Sequence, residues 1–410
     1  MRIVILGLNY LPESTSIGPY TADLAEYLHH RGHQVQVITG FPSAPQWRVW
    51  QGYRGRFWMR EQVNQVPVFR VWMYVPRNPR SVWRRVLFDS SFAFSAFLKL
   101  LFTRRADCYI VISPPLQLAS VVGWLGRLRR IPVLLQIKDL VPDAAAAVGA
   151  MNPQGRAYKI AAGLEKYSYR RAAKIGVICE GMRQNLLAKS IPLEKIELLP
   201  DYIDLRFMQL RQDDFRHRVG IGQDQWLAMY SGSVAGKQGL ETWVQAGEIL
   251  DHDRQIVCCL VGEGAYLADL QNMASQRGLK RFRFLPLSER AALPGQLAAA
   301  DCLIITQRAA VRDMVFPGKL LYYMAAGRPM VASVHPDSET GRFIREHQVG
   351  IVIAAEDHLA LANAVRALRA DPALARQLGA NGRRVAEELF DREKVLLRFE
   401  QVISQMMRVA

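Results

Sequence analysis

The sequence lacks the features of three protein classes. Its five cysteines form no C-x-x-C pair and lie in apolar, strand-like runs, which is typical of reduced core thiols and not of a zinc site or a disulfide framework. No stretch offers the ~20 uninterrupted apolar residues that a membrane-spanning helix needs. The first apolar run, Ile3–Leu8, is broken by Asn9 and Pro12, so it predicts a strand and not a signal-peptide core. Cysteine usage favours a cytoplasmic protein.

Acidic residues are scarce: 37 Asp and Glu oppose 53 Lys and Arg, which gives a formal net charge of +16. The excess is concentrated between Arg48 and Arg105, where twelve basic side chains oppose Glu61 and Asp89. Five of the eight tryptophans lie in or beside this stretch. Basic residues interleaved with tryptophan suit nucleic acid or an anionic membrane surface. A solvated basic loop fits the same pattern.

Length and patterning predict two α/β domains. The 410 residues exceed one compact core, and a composition of 50% hydrophobic and 22% charged residues indicates a globular chain. Strand and helix patterns alternate, which favours two doubly wound, Rossmann-like parallel sheets, with boundaries at residues 1–204 and 205–388. The predicted strands are Ile3–Leu8, Gln34–Thr39, Val68–Met73, Cys108–Ile112, Val133–Ile137, Ile175–Cys179, Ile196–Leu199, Leu227–Ser231, Gln255–Val261, Phe282–Leu285, Cys302–Thr306, Pro329–Ser333 and Gly350–Ala354.

The segment Trp83–Phe102 predicts a helix that is apolar around most of its circumference. Only Ser91, Ser95 and Lys99 form a thin polar stripe, and arginine pairs flank both ends. A helix buried in a domain and a helix lying in a membrane interface both fit this pattern. For the second alternative, the candidate membrane or acceptor residues are Trp83, Arg84, Arg85, Phe88 and Phe92.

The stretch Phe316–Ser333 predicts a loop, a short helix beginning near Lys319, and a buried strand after the glycine at position 327. A helix N-terminus favours anions, and an adjacent ammonium group strengthens that attraction. A phosphate pocket and an ordinary helix start with a solvated lysine are both compatible with this pattern.

Three glycine-containing loops follow predicted strands. Ser231–Gly239 resembles a Walker A loop, but one residue is missing between its glycines, and Gln238 replaces the Mg²⁺-holding hydroxyl. Its Lys237 still suits a diphosphate. Gly262-Glu263-Gly264 lacks the third glycine of a dinucleotide fingerprint. Ser16-Ile17-Gly18 precedes the first helix, where a glycine lets a ligand phosphate approach the backbone.

Acidic residues after strands are candidates for contacts with a sugar hydroxyl. Asp139 and Asp143 follow the strand Val133–Ile137, and a carboxylate there can orient or deprotonate a hydroxyl. For Asp143 we favour a helix-capping role. Asp251-His252-Asp253 matches the D-x-D pattern of metal-dependent sugar transferases but precedes a strand, so we interpret it as a solvated turn.

These residues together resemble a known family. The segments GLNYLPESTSIGPYTADLAEYLHHRGHQVQVITGFP, IKDLVPDAA, YSGSVAGKQGLET and FPGKLLYYMAAGRPMVASV and the closing helices are similar to the retaining glycosyltransferases of family four, in the branch with colanic-acid and capsule enzymes. The resemblance implies a GT-B fold with the two domains facing across a cleft, a nucleotide-sugar donor on the second domain and an acceptor on the first. It also implies no essential metal or cofactor, and a final helix, residues 389–410, that crosses back to the first domain.

The chain departs from the family at several positions. Met314 and Tyr322 stand where the family has two glutamates, Ser233 and Gln238 where it has phosphate-binding Arg and Lys, and Gln136 where it often has histidine. By compensation the resemblance assigns the phosphate to lysines. The implied catalytic residues are Asp139, Lys237 and Lys319, and the implied donor-binding residues are Gly18, Ser233, Gln238, Glu263, Pro286, Leu287, Gly318, Leu320 and Tyr322.

The expected function is transfer of a sugar, with retained anomeric configuration, from a nucleotide-sugar donor to a polyprenyl-diphosphate-linked or saccharide acceptor in surface polysaccharide synthesis. We expect UDP as the nucleotide of the donor, with GDP as the alternative. The basic aromatic segment would hold the enzyme at the inner face of the cytoplasmic membrane, with no nucleic acid as partner. A nucleotide-sugar 2-epimerase of the same fold is one alternative, and a non-enzymatic basic protein that binds membrane or nucleic acid is another.

Overall fold

The computed structural model describes residues 1–13, 17–77, 81–147, 151–209, 214–310 and 317–409. Ser16, Met314 and Phe316, which the sequence patterns use, lie outside these residues. The chain divides into two compact units: a first unit of Met1–Pro200 with Leu396–Ala410, and a second unit of Asp201–Val395. Each unit has its own sheet.

The first unit is built on eight strands: β1 Arg2–Leu6, β2 Gln34–Gly40, β3 Trp58–Val63, β4 Val66–Val71, β5 Cys108–Ser113, β6 Val133–Ile137, β7 Lys174–Val177 and β8 Ile196–Leu198. Their order in the sheet is β3-β4-β2-β1-β5-β6-β7-β8, and only the β3–β4 pair is antiparallel. The helices around this sheet are α1 Gly18–His30, α2 Val82–Leu101, α3 Leu116–Arg129, α4 Val141–Ala147, α5 Arg156–Arg171 and α6 Glu180–Ala188. Strands β5 and β6 are buried along their whole length, as their continuous apolar sequences require.

The second unit repeats this architecture with six parallel strands: β9 Trp226–Ser231, β10 Ile256–Val261, β11 Phe282–Leu285, β12 Cys302–Thr306, β13 Met330–Ser333 and β14 Gly350–Ile353. Its helices are α7 Phe215–Arg218, α8 Glu241–Leu250, α9 Leu267–Gln276, α10 Leu293–Ala299, α11 Gly318–Ala326, α12 Glu339–Glu346, α13 His358–Ala370 and α14 Pro372–Leu389. The strand order is β11-β10-β9-β12-β13-β14. The order therefore reverses between β9 and β12, and such a switch point is where ligands bind in doubly wound sheets.

The prediction of two Rossmann-like α/β sheets is confirmed, and the sheet of the first unit extends further than predicted. Strand β3 lies at the edge of that sheet and pairs with β4 across a turn at Asn64 and Gln65, both of which have positive φ. The sequence of β3 is polar and largely exposed, so it carries no strong strand signal. The hairpin brings the basic segment onto a defined sheet edge.

The closing helices of the chain are α13, α14 and α15, the last of which spans Arg392–Val409. Asp371 separates the first two, because its carboxylate accepts the backbone N–H groups of Ala373 and Leu374 at 3.1 and 2.9 Å and so caps α14. In α15, Glu400 accepts a hydrogen bond at 3.0 Å from Arg31 of the first unit.

The burial of two side chains of α2 contradicts part of the membrane prediction. The side chains of Phe88 and Phe92 are buried, so they pack in the unit and do not face outward. Trp83 is 72% exposed, Arg84 and Arg85 are also exposed, and so are several apolar side chains on the same helix. None of the helices in the part of the chain that the structure describes is both long and apolar enough to cross a bilayer.

Candidate active site

A cavity of about 420 Å³ lies in the second unit at the carboxyl ends of β9 and β12. The loop that follows β9, the start of α11 and the residues that follow β12 form its walls. Seven residues that the sequence assigned to the donor site line this cavity: Ser233, Lys237, Gln238, Leu287, Gly318, Lys319 and Tyr322. The cavity is therefore at the switch point of the sheet and collects both predicted lysines.

The loop after β9 is shaped by glycine and by Gln238. Gly232 has φ +145°, and a Cβ there would lie 3.3 Å from Lys319 Nζ, so a side chain at this position would be strained and would crowd the ammonium group. Gln238 Oε1 accepts the backbone N–H of Ala235 at 3.1 Å, and its Nε2 donates to Ser233 Oγ at 3.3 Å. Gln238 thus stabilises the conformation of the loop through these two hydrogen bonds.

Gly262 and Gly264, which resemble an incomplete dinucleotide fingerprint, have a packing role in the structure. Gly264 has φ +157°, and a Cβ there would lie 1.9 Å from the carbonyl oxygen of Val234. The backbone N–H of Val234 also donates to the carbonyl of Glu263 at 2.8 Å. The loop after β10 therefore needs small residues to support the loop after β9, which is a packing role.

Lys319 sits in the first turn of α11 and is held by Tyr230. Its Nζ donates to Tyr230 Oη at 2.5 Å and lies 3.8 Å from the centre of the Tyr230 ring. Tyr230 Oη in turn donates to the carbonyl of Ser233 at 2.7 Å. Burial raises the pKa of Tyr230, so this hydroxyl keeps its proton and can accept from the lysine while it donates to the loop.

Burial of Lys319 in the cavity disfavours its charged form. Burial, and secondarily the positive charge of Lys237, lowers the pKa of Lys319 to about 7. A bound anion would offset both effects, because it replaces the lost hydration and screens one ammonium group from the other. The cavity is thus prepared for a negatively charged group.

Helix α11 is fixed to the end of β9 by a second tyrosine. The backbone N–H of Ser231 donates to Tyr323 Oη at 2.9 Å, and that hydroxyl donates back to the carbonyl of Ser231 at 3.1 Å. Gln296 Nε2 donates to Ser231 Oγ at 2.8 Å. Strand β9, helix α10 and helix α11 therefore meet at Ser231, and Lys319, one turn before Tyr323, is positioned by the same contacts.

Arg308 stabilises the loop that carries Lys237, and two carboxylates neutralise its charge. Its guanidinium forms ion pairs with Glu241 and, at 3.2 Å, with Glu356, and its Nε donates to the carbonyl of Gly236 at 2.7 Å. Its backbone N–H donates to the carbonyl of Lys237 at 3.2 Å. With two carboxylates on its guanidinium, Arg308 orients the Lys237 loop, and the lysines supply the uncompensated charge.

Two family models match the chain. The model of a glycosyl transferase 4-like domain matches residues 15–201, and the model of glycosyl transferases group 1 matches residues 211–385. WcaI of Escherichia coli (strain K12), a proposed colanic acid biosynthesis glycosyl transferase, is 31% identical over 408 residues, which span 97% of this chain and 98% of WcaI. The chain belongs to the glycosyltransferases. The resemblance to family four and to its colanic-acid branch is confirmed.

Solved glycosyltransferase structures share the fold of this chain. Sucrose-phosphate synthase from Thermosynechococcus elongatus matches with a TM-score of 0.74 at 20% identity, over all of both chains. HepE of Anabaena, solved in complex with UDP, matches with a TM-score of 0.72 at 15% identity, over 99% of this chain and all of HepE. At such identities the likeness concerns the fold, and it confirms the predicted GT-B class.

Three predicted donor residues in the second unit of this glycosyltransferase do not line the cavity. The prediction for Leu320 is wrong, because its side chain is fully buried in the core of the second unit. Successive residues of an α-helix are rotated by about 100°, so Leu320 points away from the face that carries Lys319. Pro286 is exposed beside the cavity residue Leu287, and Glu263 is exposed in the loop after β10. We therefore retain Leu287 and drop Leu320 as a donor contact.

The predicted residues of the first unit lie at the carboxyl ends of its strands. Gly18 is the first residue of α1, and a Cβ there would lie 3.0 Å from the carbonyl of Glu13. Asp139 is exposed and follows β6. Asp143 accepts hydrogen bonds from Lys189 Nζ at 2.5 Å and from Tyr158 at 3.1 Å, so its carboxylate is tied to a structural ion pair.

The D-x-D motif lies in a turn, as interpreted from the sequence. Asp251 accepts the backbone N–H of Arg281 at 2.7 Å, and Asp253 pairs with Arg369 at 2.6 Å. Both aspartates precede β10, at the amino end of the sheet. No group of three or more His, Cys, Asp or Glu residues able to hold a metal ion occurs among the described residues.

Sequence reasoning missed the two tyrosines that position Lys319. Tyr230 lies inside the apolar run of β9, and Tyr323 lies among apolar residues of α11, so neither stands out in a motif. The available signal was the hydroxyl: a tyrosine in a fully buried run needs a hydrogen-bond partner, and here the partners belong to the candidate site.

Proposed function

We propose that this glycosyltransferase transfers a sugar from a UDP-linked donor to a polyprenyl-diphosphate-linked or saccharide acceptor, with retained anomeric configuration, in the synthesis of a surface polysaccharide. The donor proposal is supported by HepE, a fold relative solved with UDP and with UDP-glucose. The polysaccharide proposal is supported by the similarity to WcaI, a proposed colanic acid biosynthesis glycosyl transferase.

The observation that carries the donor proposal is the pair of lysines in the cavity at the start of α11. A departing nucleoside diphosphate gains negative charge as the sugar bond breaks. Two ammonium groups and a helix N-terminus stabilise that charge, and in a preorganised site one such group typically contributes about 3 kcal/mol. Lys237 is exposed at the rim, whereas Lys319 is fixed by Tyr230, so we assign Lys319 to the reacting phosphate and Lys237 to its outer oxygens.

The acceptor hydroxyl is assigned to Asp139. The residue lies two positions after the end of β6 and is exposed, at the edge of the first unit's sheet where such sheets bind ligands. A carboxylate in this role orients the hydroxyl and takes its proton as the new bond forms. Asp143 does not fit the role, since Lys189 and Tyr158 already occupy it.

We also propose that the enzyme binds the inner face of the cytoplasmic membrane through the apolar face of α2 and α3. This apolar face comprises Trp83, Val86, Leu87, Phe94, Leu98, Leu101, Phe102, Trp124 and Leu128, all of which are exposed. Phe97 contacts Trp124 with ring centres 6.0 Å apart, which joins the two helices into one surface. Exposed apolar area bordered by arginines partitions into an anionic interface.

The test is product analysis with purified enzyme. The enzyme is incubated with UDP-glucose, UDP-galactose or UDP-N-acetylglucosamine and a polyprenyl-diphosphate-linked sugar, and the products are examined by mass spectrometry and by NMR of the anomeric proton. We expect one added hexose or N-acetylhexosamine with the anomeric configuration of the donor. Inverted configuration would contradict retention. Isomerised donor formed without any acceptor would instead support the 2-epimerase.

A further inference from the structure

A second cavity, of about 430 Å³, lies in the first unit beside the ends of two strands. Phe41 follows β2 directly, and Trp72 and Met73 follow β4. The other lining residues belong to the segment Trp47–Phe57 or are Val75 and Arg77. Since β2 and β4 are parallel neighbours, their carboxyl ends meet at the edge where such sheets bind ligands. The donor role of the second unit leaves this cavity unexplained.

The charge of this cavity is positive and concentrated. Arg48, Arg54, Arg56 and Arg77 all line it, and none of its described lining residues is an aspartate or a glutamate. Guanidinium groups gathered around one cavity repel each other, and a ligand with several negative charges removes that repulsion. Guanidinium forks match phosphate oxygens in pairs. We name this space the arginine cavity.

Two buried charged side chains anchor the loop that lines the arginine cavity. The carboxylate of Glu13 is buried, and its Oε1 accepts the backbone N–H groups of Ser43 and Ala44, each at 2.7 Å. The guanidinium of Arg70 is fully buried; it donates to the carbonyl of Gly40 at 3.0 Å and lies 5.1 Å from the ring centre of Tyr53. The loop that carries Arg48, Arg54 and Arg56 is therefore anchored to β2 and β4.

Aromatic rings complete the walls and lead out to α2. Phe57 and Trp72 are exposed, with ring centres 6.4 Å apart. Trp47 packs on Phe88 with ring centres 5.4 Å apart, and the Arg85 guanidinium lies 5.4 Å from the centre of the Trp47 ring. One wall of the arginine cavity thus rests on the first turns of α2, whose other side belongs to the exposed apolar face. A ligand with an anionic head and a hydrocarbon chain fits this continuity.

We propose that the arginine cavity binds the diphosphate of a prenyl-diphosphate-linked acceptor, with the arginines on the phosphate oxygens and the prenyl chain directed along α2. This assignment rests on the proposed function and specifies its acceptor as a lipid diphosphate, not a free saccharide. Inorganic pyrophosphate would share the charge contacts but lacks the chain, so comparison of the two ligands separates a lipid from a soluble anion.

The test uses isothermal titration of the full chain with farnesyl diphosphate, inorganic pyrophosphate, farnesol and UDP. The variant Arg48→Ala/Arg77→Ala removes two lining guanidinium groups that form no side-chain hydrogen bond or ion pair within the described residues. Arg254→Ala/Arg376→Ala is the matched control, since it removes the same charge from exposed sites of the second unit. We expect saturable binding of farnesyl diphosphate, at least tenfold tighter than binding of pyrophosphate or farnesol, and at least a tenfold loss in the first variant alone.

The UDP titration separates the two proposals. UDP binding reports on the cavity with Lys237 and Lys319, so unchanged UDP affinity in both variants shows that the protein is folded and its donor site intact. Equal affinity of the wild type and Arg48→Ala/Arg77→Ala for farnesyl diphosphate would overturn the assignment. Equal affinity of the wild type for farnesyl diphosphate and pyrophosphate would overturn its lipid part. If the wild type does not bind UDP, the proposed donor is contradicted. The farnesyl diphosphate titration then still tests whether the arginine cavity binds a lipid diphosphate.

Discussion

The two cavities hold positive charge in different ways. In the second unit, Lys319 is placed by a tyrosine from β9 and by its position on α11, and its pKa is lowered to about 7 by burial and by Lys237. In the first unit, four arginines line a cavity built largely from a loop, and their guanidinium groups keep their charge at any physiological pH. A buried lysine responds to its ligand and to pH, whereas exposed arginines provide constant attraction. The difference suits a reacting diphosphate in one unit and a held diphosphate in the other.

The largest effect is expected at Lys319. Lys319→Ala removes the ammonium group assigned to the departing diphosphate, and loss of one preorganised charge-stabilising group lowers kcat about 10²–10³-fold. The measurement is turnover with UDP-glucose and acceptor, with the melting temperature as a check of folding. Lys280→Ala, at an exposed site of the second unit, should keep wild-type turnover. Wild-type turnover in Lys319→Ala would remove Lys319 from the mechanism.

The next largest effect is expected for membrane binding by the apolar face of α2 and α3. Phe94→Asp/Leu98→Asp places two carboxylates on the apolar face of α2, where both side chains are exposed, and loss of about 2 kcal/mol of interfacial transfer corresponds to about thirtyfold weaker binding. Co-sedimentation with vesicles of equal phosphatidylglycerol and phosphatidylcholine measures it. Leu359→Asp/Leu389→Asp, on exposed apolar positions of the second unit, is the control. Equal loss in both variants would contradict a specific membrane face.

A pH dependence is expected for the donor cavity. Burial and the charge of Lys237 lower the pKa of Lys319 to about 7, and a bound diphosphate raises that pKa, so binding above pH 7 also takes up a proton. Affinity for UDP-glucose should therefore fall as pH rises above 7, approaching tenfold per pH unit until the pKa of the complex is reached. Titration calorimetry from pH 6 to 9 measures the slope. Lys319→Arg should flatten it, and a flat wild-type profile would show that Lys319 does not titrate on binding.

The smallest effect is expected from Tyr230→Phe. The ring remains, but Lys319 Nζ and the carbonyl of Ser233 each lose a hydrogen-bond partner. A net loss of about 1 kcal/mol corresponds to about fivefold weaker binding of UDP-glucose. In a Lys319→Ala background the same change should cost less, because the two residues act together. Additive losses would mean that Tyr230 does not act through Lys319.

Much of the fold was predictable from the sequence, because buried parallel strands read as continuous apolar runs. The runs at β5, β10 and β12 are buried throughout. The end of the run at β9 located the loop with Lys237, and the predicted start of α11 located Lys319. The β3–β4 hairpin was missed, since the polar, largely exposed β3 depends on its partner strand and not on its own burial.

The site was predictable in part. Strand and helix ends predicted the two lysines, but the phase of α11 was not available from a run that is apolar at neighbouring positions, so Leu320 was misplaced. The same ambiguity in α2 misplaced Phe88 and Phe92. Tyr230 was missed because it meets Lys319 through the packing of β9 against α11, 89 positions apart in sequence. No local sequence pattern indicates that two residues so far apart in the chain are in contact.

The most direct measurement of the central claim is a crystal structure of the protein with UDP. The account predicts that the diphosphate lies in the cavity of the second unit, with its oxygens within hydrogen-bond distance of Lys319 Nζ and near Lys237 and Gly232. A diphosphate bound elsewhere in the chain, or one that leaves Lys319 in contact with Tyr230 alone, would contradict it.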